Sequence, residues 1–433
     1  MIHDTALVLY YDKPNRYGFN VLVGALEGDE YFDDLKVYLV EHGGELASKL
    51  GGVIERHEKV IVGFSFFTTQ LWDVCKLIKK LRRKYADRVL YVAGGPHPTG
   101  DPEGTLRMGF DVVVRGEGEE TLAELLKRFD CDESYADVKG VAYFDGEYRF
   151  TGWRPPVNLD RYPPFAAKHG MFGPIEITRG CPFACYFCQT PRMFGSRVRH
   201  RSVEQVCRYV EVMRRRGLTD VRFTSPNAFS YGSPDGKRLN VARLEELLEG
   251  VREAVGPKGR LFIGSFPSEV RPEHVTEETV ELVLKYASND NLVIGAQSGS
   301  QRVLDACHRG HSVEDVYNAV KLTLKAGLKA NVDFIFGLPG ETEEDAEQTI
   351  KVMKELAEMG ARIHAHTFMP LPQTPFAKAP AGRVSGKLRK AINSLICKGK
   401  VYGAWERQEK IAEMIERYMR TGDVGCEGAP SRY

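Results

Sequence analysis

Thr178-Arg179-Gly180-Cys181-Pro182-Phe183-Ala184-Cys185-Tyr186-Phe187-Cys188 sets three thiols within eight residues, directly after a run that reads as a strand. Thiolates at this spacing wrap one soft metal centre. The number of ligands matters. A structural zinc site closes with four protein ligands, whereas a cubane iron–sulfur cluster held by three cysteines keeps one iron open. A zinc reading needs a fourth ligand from His200 or Cys207, and the spacing to either is unusual for zinc. The other six of the nine cysteines are scattered along the chain, so the group of three needs its own explanation.

Outward from this segment, apolar runs alternate with helical patterns. On its C-terminal side strands are expected at 175–178, 221–224, 261–265, 292–296, 332–336 and 363–368. Six strand–helix units predict a partial (βα)6 barrel over residues 171–376, with its active site at the carboxyl ends of the strands. Residues 377–433 read as a helical C-terminal segment. On the N-terminal side, strands are expected at 5–11, 35–40, 60–66, 89–93 and 111–115, with helices at 45–58, 71–85 and 119–128. Apolar strands separated by helices give a doubly wound parallel sheet, here residues 1–135, which binds ligands at the carboxyl ends of its strands. Residues 138–150 read as a hairpin turning at Asp145-Gly146. With Pro155, Pro156, Pro163 and Pro164 they form an expected linker over 136–170. The fold class is α/β throughout.

A chain of 433 residues is long enough for two or three domains. Its net charge of +1 creates no global field for nucleic acid or an anionic membrane. Basic runs such as Lys79-Lys80 or Arg214-Arg215-Arg216 read as solvated helix faces. No apolar run is long enough to span a bilayer, and the opening Met-Ile-His-Asp lacks a signal-peptide pattern. The expected location is the cytoplasm, where cysteines stay reduced and disulfides are not expected.

C-x-x-x-C-x-x-C after the first strand of a βα barrel, with aromatic Phe187 before the last cysteine, resembles the signature of the radical S-adenosylmethionine (SAM) superfamily. The resemblance implies a [4Fe-4S] cluster on Cys181, Cys185 and Cys188, with SAM on the open iron and Phe187 against it. It further implies reductive cleavage of SAM to a 5′-deoxyadenosyl radical, with electrons from a donor such as flavodoxin or ferredoxin. The protein positions SAM and shields the radical, while the cofactor carries the chemistry. Phe223-Thr224-Ser225-Pro226-Asn227 stands where many members have Gly-Gly-Glu for the SAM amino group. Ser225 and Asn227 substitute for it, or they form an ordinary turn. Pro267-Ser268-Glu269-Val270-Arg271 falls where the family contacts ribose, so Ser268, Glu269 and Arg271 are either SAM contacts or surface ion-pair residues. Gly295-Ala296-Gln297-Ser298-Gly299-Ser300 and Arg309-Gly310-His311 resemble cobalamin-linked members, which brings in Gln297 and Ser298. Phe334-Ile335-Phe336-Gly337-Leu338-Pro339-Gly340-Glu341 resembles the adenine-binding strand, with Phe336, Gly337 and Leu338 as contacts.

A doubly wound domain ahead of such a barrel resembles the cobalamin-binding class of radical SAM methyltransferases. The matching pieces are Gly63-Phe64-Ser65, Ala93-Gly94-Gly95-Pro96-His97 and Arg115-Gly116-Glu117-Gly118-Glu119. They imply a cobalamin site lined by Ser65, Gly94, Gly95, Gly116 and Glu117. The cobalt-ligating D-x-H-x-x-G is absent, since Asp12-Lys13-Pro14-Asn15-Arg16-Tyr17-Gly18 holds no histidine. His42 and His97, at strand ends, read as ordinary surface residues, so cobalamin is expected without a histidine lower ligand. The activity implied is methylation of an unactivated carbon. Radical cyclisation, rearrangement or oxidation is the alternative. A non-catalytic corrinoid or redox sensor is a third reading, and no output module for it is legible. Methylthio transfer is disfavoured, because Cys75 and Cys131 lie far apart and form no second cluster motif. The substrate and any catalytic side chain are not legible. His366, Pro370, Pro372 and Gln373 stand on the substrate side only by following the last strand.

Overall fold

Five apolar runs of the N-terminal third pair as parallel strands in the computed structural model, which describes residues 4–425. They are β1 (Thr5–Tyr10), β2 (Lys36–Val40), β3 (Lys59–Ser65), β4 (Leu90–Gly94) and β5 (Val112–Val114), in the order β2-β1-β3-β4-β5. Every residue of β1 is buried. A central strand covered on both faces has no polar side to present, which is why it reads as a continuous apolar run. The helix Leu71–Tyr85 buries Leu71, Val74, Ile78, Leu81 and Tyr85 and leaves Lys79, Lys80 and Arg83 in solvent, as its pattern requires. Strands β2 and β3 leave β1 on opposite sides, so the carboxyl ends of β1 and β3 form the crevice of a doubly wound sheet.

A helix at Arg16–Glu27 was not expected. Gly18, Asn20 and Gly24 blur its pattern, and the structure explains two of them. A Cβ on Gly24 would lie 2.7 Å from the Phe165 carbonyl oxygen. Buried Asn20 accepts from the Tyr11 hydroxyl at 2.6 Å and donates to the Phe172 carbonyl at 3.0 Å. The hairpin strands β6 (Val141–Asp145) and β7 (Glu147–Phe150) turn at Gly146, φ +69°, and β6 pairs antiparallel with β5, so the sheet has seven strands. Phe165 and Ala166 of the proline-rich stretch are buried in this same unit, which runs to Gly173 and includes residues 421–425. Cys131, Cys181, Cys185, Cys188, Cys207, Cys307 and Cys397 are free thiols. Buried Cys75 is disulfide-bonded, which corrects the expectation of a fully reduced set.

The second unit, Pro174–Arg420, contains β8 (Ile175–Glu176), β9 (Thr178–Arg179), β10 (Arg199–His200), β11 (Asp220–Thr224), β12 (Arg260–Phe262), β13 (Asn291–Gln297), β14 (Lys329–Phe336), β15 (Arg362–Thr367) and β16 (Val401–Tyr402). Parallel ladders join β8-β11-β12 and β13-β14-β15-β16. Segment 264–270 bridges the two. Val293 N–H donates to the Gly264 carbonyl at 2.8 Å, and Gly295 N–H to the Val270 carbonyl at 3.0 Å. The expected strands therefore stand in sequence order around a partial barrel. The C-terminal segment is helical at Gly386–Cys397 and Trp405–Thr421, but it also adds the unexpected edge strand β16. In β14 residues Ala330, Val332, Phe334 and Phe336 are buried, while Asn331, Asp333 and Ile335 are part-exposed on the opposite, inner face. Gly295, Asp333, His364 and Tyr402 lie level across β13 to β16. Among the described residues no helix is long and apolar enough to cross a membrane.

His97 follows β4 and, against the expectation of a surface residue, is fully buried, stacked on Phe66 at 5.4 Å and bonded to Thr68 Oγ1 at 3.2 Å. Burial pulls its pKa from 6.5 down to about 4. The native state keeps it neutral while the unfolded chain binds a proton below 6.5. Its contribution is thus intact above pH 6.5 and is lost as the pH falls towards 4. Equilibrium unfolding at pH 7 and pH 5 should show an acid-linked loss of about 2 kcal/mol from this residue. His97→Phe should remove that increment, and an unchanged pH dependence in the variant would refute the assignment.

Candidate functional site

The cysteine loop is an excursion clamped at its base. β9 and β10 pair antiparallel, Arg199 opposite Arg179 and His200 opposite Thr178. Gly180 starts the loop at φ +88°, and a Cβ there would lie 2.3 Å from the Arg197 carbonyl oxygen, so only glycine fits. Cys181 N–H then donates to the Gly195 carbonyl at 3.1 Å, and Cys188 N–H to the Cys185 carbonyl at 3.0 Å. The far side is tied to the turn after the helix Gln301–Ala306. Tyr186 N–H donates to the Cys307 carbonyl at 3.0 Å, His308 Nδ1 donates to the Phe183 carbonyl at 2.8 Å, and the Tyr186 and His308 rings stack at 5.4 Å.

The spacing of the thiols identifies what they fit. Four sulfurs around one zinc sit about 3.8 Å apart, given a Zn–S bond near 2.3 Å. Among the described residues only Asp333, His364 and His366 bring three potential ligand atoms all within 4.8 Å. The three cysteine sulfurs do not all lie within that distance of one another. The zinc alternative fails on its fourth ligand too. His200 engages Thr178 Oγ1 at 2.9 Å and the Ser233 carbonyl at 2.8 Å, and Cys207 packs where a Gly250 Cβ would be, 2.9 Å away. Burial raises the Cys181 thiol pKa and pushes Cys188 up to about 11, so a bound metal centre is what would make them thiolates. Arg309 Nη1 donates to Cys185 Sγ at 3.6 Å.

Beside the loop, charged groups converge on bare backbone. A Cβ on Gly295 would meet Arg309 Nη2 at 2.7 Å, Gln297 Nε2 at 2.8 Å and Glu269 Oε2 at 3.0 Å. Arg271 lays its guanidinium over the Phe183 ring at 3.5 Å and also reaches Glu273 and the Arg309 carbonyl. Burial raises the Glu269 carboxyl pKa, Arg309 opposes that, and the neighbouring Asp333 carboxyl adds to it. Arg271 Nη1 and Arg309 Nε are buried without a hydrogen-bond partner, and His311 Nδ1 and Glu273 Oε2 face each other at 3.8 Å. The two orphaned arginine donors beside the cysteines suit a polar ligand that carries a carboxylate. Arg309 was legible only as part of Arg309-Gly310-His311, and the structure places it at the centre.

Other expected contacts are spent locally. Ser268 Oγ donates to the Phe223 carbonyl at 2.7 Å and accepts from Ser225 N–H at 3.1 Å. Ser225 Oγ donates to the Asn227 carbonyl at 2.9 Å, and Asn227 Oδ1 accepts from Arg271 N–H at 3.2 Å. These side chains tie the end of β11 to segment 265–274. Ser298 Oγ lies 3.4 Å from Thr349 Oγ1 on the helix Glu343–Met359, and Phe336 is buried on the outer face of β14. Leu338 instead clusters with Val303, Cys307 and Phe368, with Phe187 and Ile335 against them. Gly337, φ +70°, passes where a Cβ would lie 2.4 Å from the Arg383 nitrogen. Its N–H donates to Glu341 at 2.8 Å, and burial raises that carboxyl to about 7.

In the first unit Ser65 and Gly94 end neighbouring strands in register. A Cβ on Gly95, φ +92°, would lie 2.7 Å from Ser65 Oγ. Gly116 N–H donates to Thr99 Oγ1 at 3.1 Å, and Glu117 accepts from Val157 N–H at 3.0 Å. Small residues thus let the strand ends and the following turns pack closely along this edge. Of the histidines described here, His57 and His169 pair with Asp4 and Glu27, His97 is buried, and His42 precedes the helix Gly43–Ile54. The loop after β1 holds none.

Comparison with known proteins agrees with this layout. A model described as the radical SAM superfamily matches residues 175–353, and a B12 binding domain matches residues 7–126. An uncharacterized methyltransferase of Pyrococcus horikoshii is 30% identical over 324 residues, 71% of this chain and 67% of that one. An uncharacterized protein of Methanopyrus kandleri is 29% identical over 346 residues, 68% of this chain and 63% of that one. The solved structure of the radical SAM methyltransferase TsrM from Kitasatospora setae, with cobalamin and a [4Fe-4S] cluster bound, aligns with a TM-score of 0.68 at 18% identity. It covers 88% of this chain and 75% of that one.

Gly180 gives a test that leaves every cysteine in place. Gly180→Ala should lower the iron and the cluster absorbance taken up on anaerobic reconstitution. Gly217→Ala has a similar φ of +76° but nothing within 4 Å of the added carbon, and should reconstitute normally. Equal iron in both variants would show that the clamp does not shape the loop.

Proposed function

We propose, from the premise that this chain belongs to the radical SAM superfamily and carries a B12-binding domain ahead of its radical SAM domain, that it transfers a methyl group to an unactivated carbon of its substrate. The observation that supports this reading is the pairing, in one chain, of a clamped three-thiol loop beside the unpartnered Arg271 Nη1 and Arg309 Nε with a strand-end edge of small residues whose first loop offers cobalt no histidine. When bound, the cluster and SAM supply a 5′-deoxyadenosyl radical, and the cobalamin carries the methyl group.

The chain's own part is to hold and to exclude. Cys181, Cys185 and Cys188 take the cluster, with Arg309 directed at the Cys185 sulfur. Glu269, Arg271, Gln297 and Arg309 face the polar end of SAM, with the unpartnered Arg271 Nη1 and Arg309 Nε available to its carboxylate. Phe187, Gly337 and Leu338, joined by Ile335, receive the adenine and keep water off it. Ser65, Gly94, Gly95 and Gly116 let the corrin nucleotide lie against backbone. A lower face without histidine favours low-valent cobalt, as repeated methyl transfer demands.

Anaerobic protein loaded with cob(II)alamin should give a stoichiometric paramagnetic resonance signal without nitrogen splitting from a lower ligand. With SAM, reductant and substrate, the product should gain one methylene unit in mass, and Cys185→Ser should lose cluster, SAM cleavage and methylation together. SAM cleavage with no bound cobalamin and a product of unchanged or reduced mass would replace methyl transfer by cyclisation, rearrangement or oxidation.

A further inference from the structure

We propose that Asp333, His364 and His366 bind one divalent first-row transition-metal ion on the inner face of the second unit, at a site separate from the cysteines. This does not rest on the methyl-transfer reading. Asp333 on β14 lies level with His364 on β15, and His366 follows two residues on, so all three project from one face. Asp333 Oδ1 and His364 Nδ1 are 3.0 Å apart, His364 Nδ1 and His366 Nε2 are 3.0 Å apart, and all three atoms lie within 4.8 Å. Neighbouring ligands about 2.1 Å from a six-coordinate ion are separated by about 3.0 Å.

Hydrogen bonding alone does not account for the arrangement. An imidazole nitrogen has one in-plane site, either an N–H or a lone pair. His364 Nδ1 faces two atoms at bonding distance. Gln408 sets the proton positions. Its Oε1 accepts from Thr367 N–H at 2.9 Å, so its Nε2 donates to His366 Nδ1 at 3.2 Å. His366 then carries its proton on Nε2 and gives it to His364 Nδ1. Asp333 is left facing a ring nitrogen with neither a proton nor a free lone pair. An ion at the point where the three atoms converge satisfies all of them. On binding, the His366 proton moves from Nε2 to Nδ1, and the Gln408 amide turns to accept it.

The surroundings suit a cation. The Asp333 side chain is 13% exposed and that of His364 31%, with Tyr402 stacked on His364 at 4.5 Å and 6°. The Glu269 carboxyl neighbours Asp333. Two imidazoles and one carboxylate favour Fe(II), Mn(II), Co(II) or Zn(II) over magnesium or calcium, and leave open positions for an oxygen or nitrogen donor.

The test uses the full chain with its cluster reconstituted, and Mn(II) as the probe. Free Mn(II) is followed by its paramagnetic resonance amplitude. The wild type should remove one ion per chain from solution. His366→Ala should remove none while keeping the cluster absorbance of the wild type. Gln408→Glu should tighten binding by about tenfold or more, because a carboxylate accepts from Thr367 N–H and His366 Nδ1–H together. Absence of binding by the wild type, undiminished binding by His366→Ala, or no gain in Gln408→Glu would each overturn the proposal.

Discussion

The ladder joining β13, β14 and β15 sets the position of almost every polar group in the second unit. Alternate residues of a strand face opposite ways, so register decides which side chains meet. Val332, Phe334 and Phe336 are buried on the outer face of β14. A slip of one residue would expose those three and drive Asp333 outward. Burial of each such side chain contributes about 1.5–3 kcal/mol, so the apolar face holds the polar one in place. The same register sets Gly295 level with Asp333, and Glu269, Gln297 and Arg309 meet over the gap that the missing side chain leaves.

From that arrangement follows a continuous polar chain. Cys185 meets Arg309, Arg309 faces Glu269 at 3.9 Å, and Glu269 neighbours Asp333. Asp333 meets His364, His364 meets His366, and His366 meets Gln408 on the C-terminal helix. Groups of this kind are costly to bury singly and tolerable when each has a neighbour of suitable sign or proton state. A change of charge at the Cys185 end alters the balance at every later link. The helical segment after the barrel is therefore part of the site's electrostatics.

Local patterns explain what the sequence disclosed. The cysteine loop is contiguous, and buried parallel strands read as apolar runs, so both were legible together with the order of the barrel strands. The helix Arg16–Glu27 was hidden because Gly24 answers to the backbone of Phe165 and Asn20 to Tyr11 and Phe172, partners far along the chain. Ile335 and Phe336 take opposite faces of β14, and which of two adjacent residues is inward depends on the ladder rather than on local sequence. Asp333 and His364 are 31 residues apart and meet only through strand register. Ser225, Asn227 and Ser268 have the right chemistry for a ligand, and the fold uses it to fasten β11 to the following loop.

The hairpin at the end of the first sheet has a bearing on how the protein keeps to itself. An unfinished parallel sheet would leave β5, three apolar residues long, as a bare template for a strand from another molecule. The chain folds back instead and finishes on β7, four residues in which exposed Glu147 and Arg149 pair at 2.7 Å. Arg115 lies against both Phe150 and Trp153, at 4.3 and 4.5 Å from their rings. A short charged border of this kind offers little to a passing strand, so crowded copies of the chain are discouraged from joining sheet to sheet.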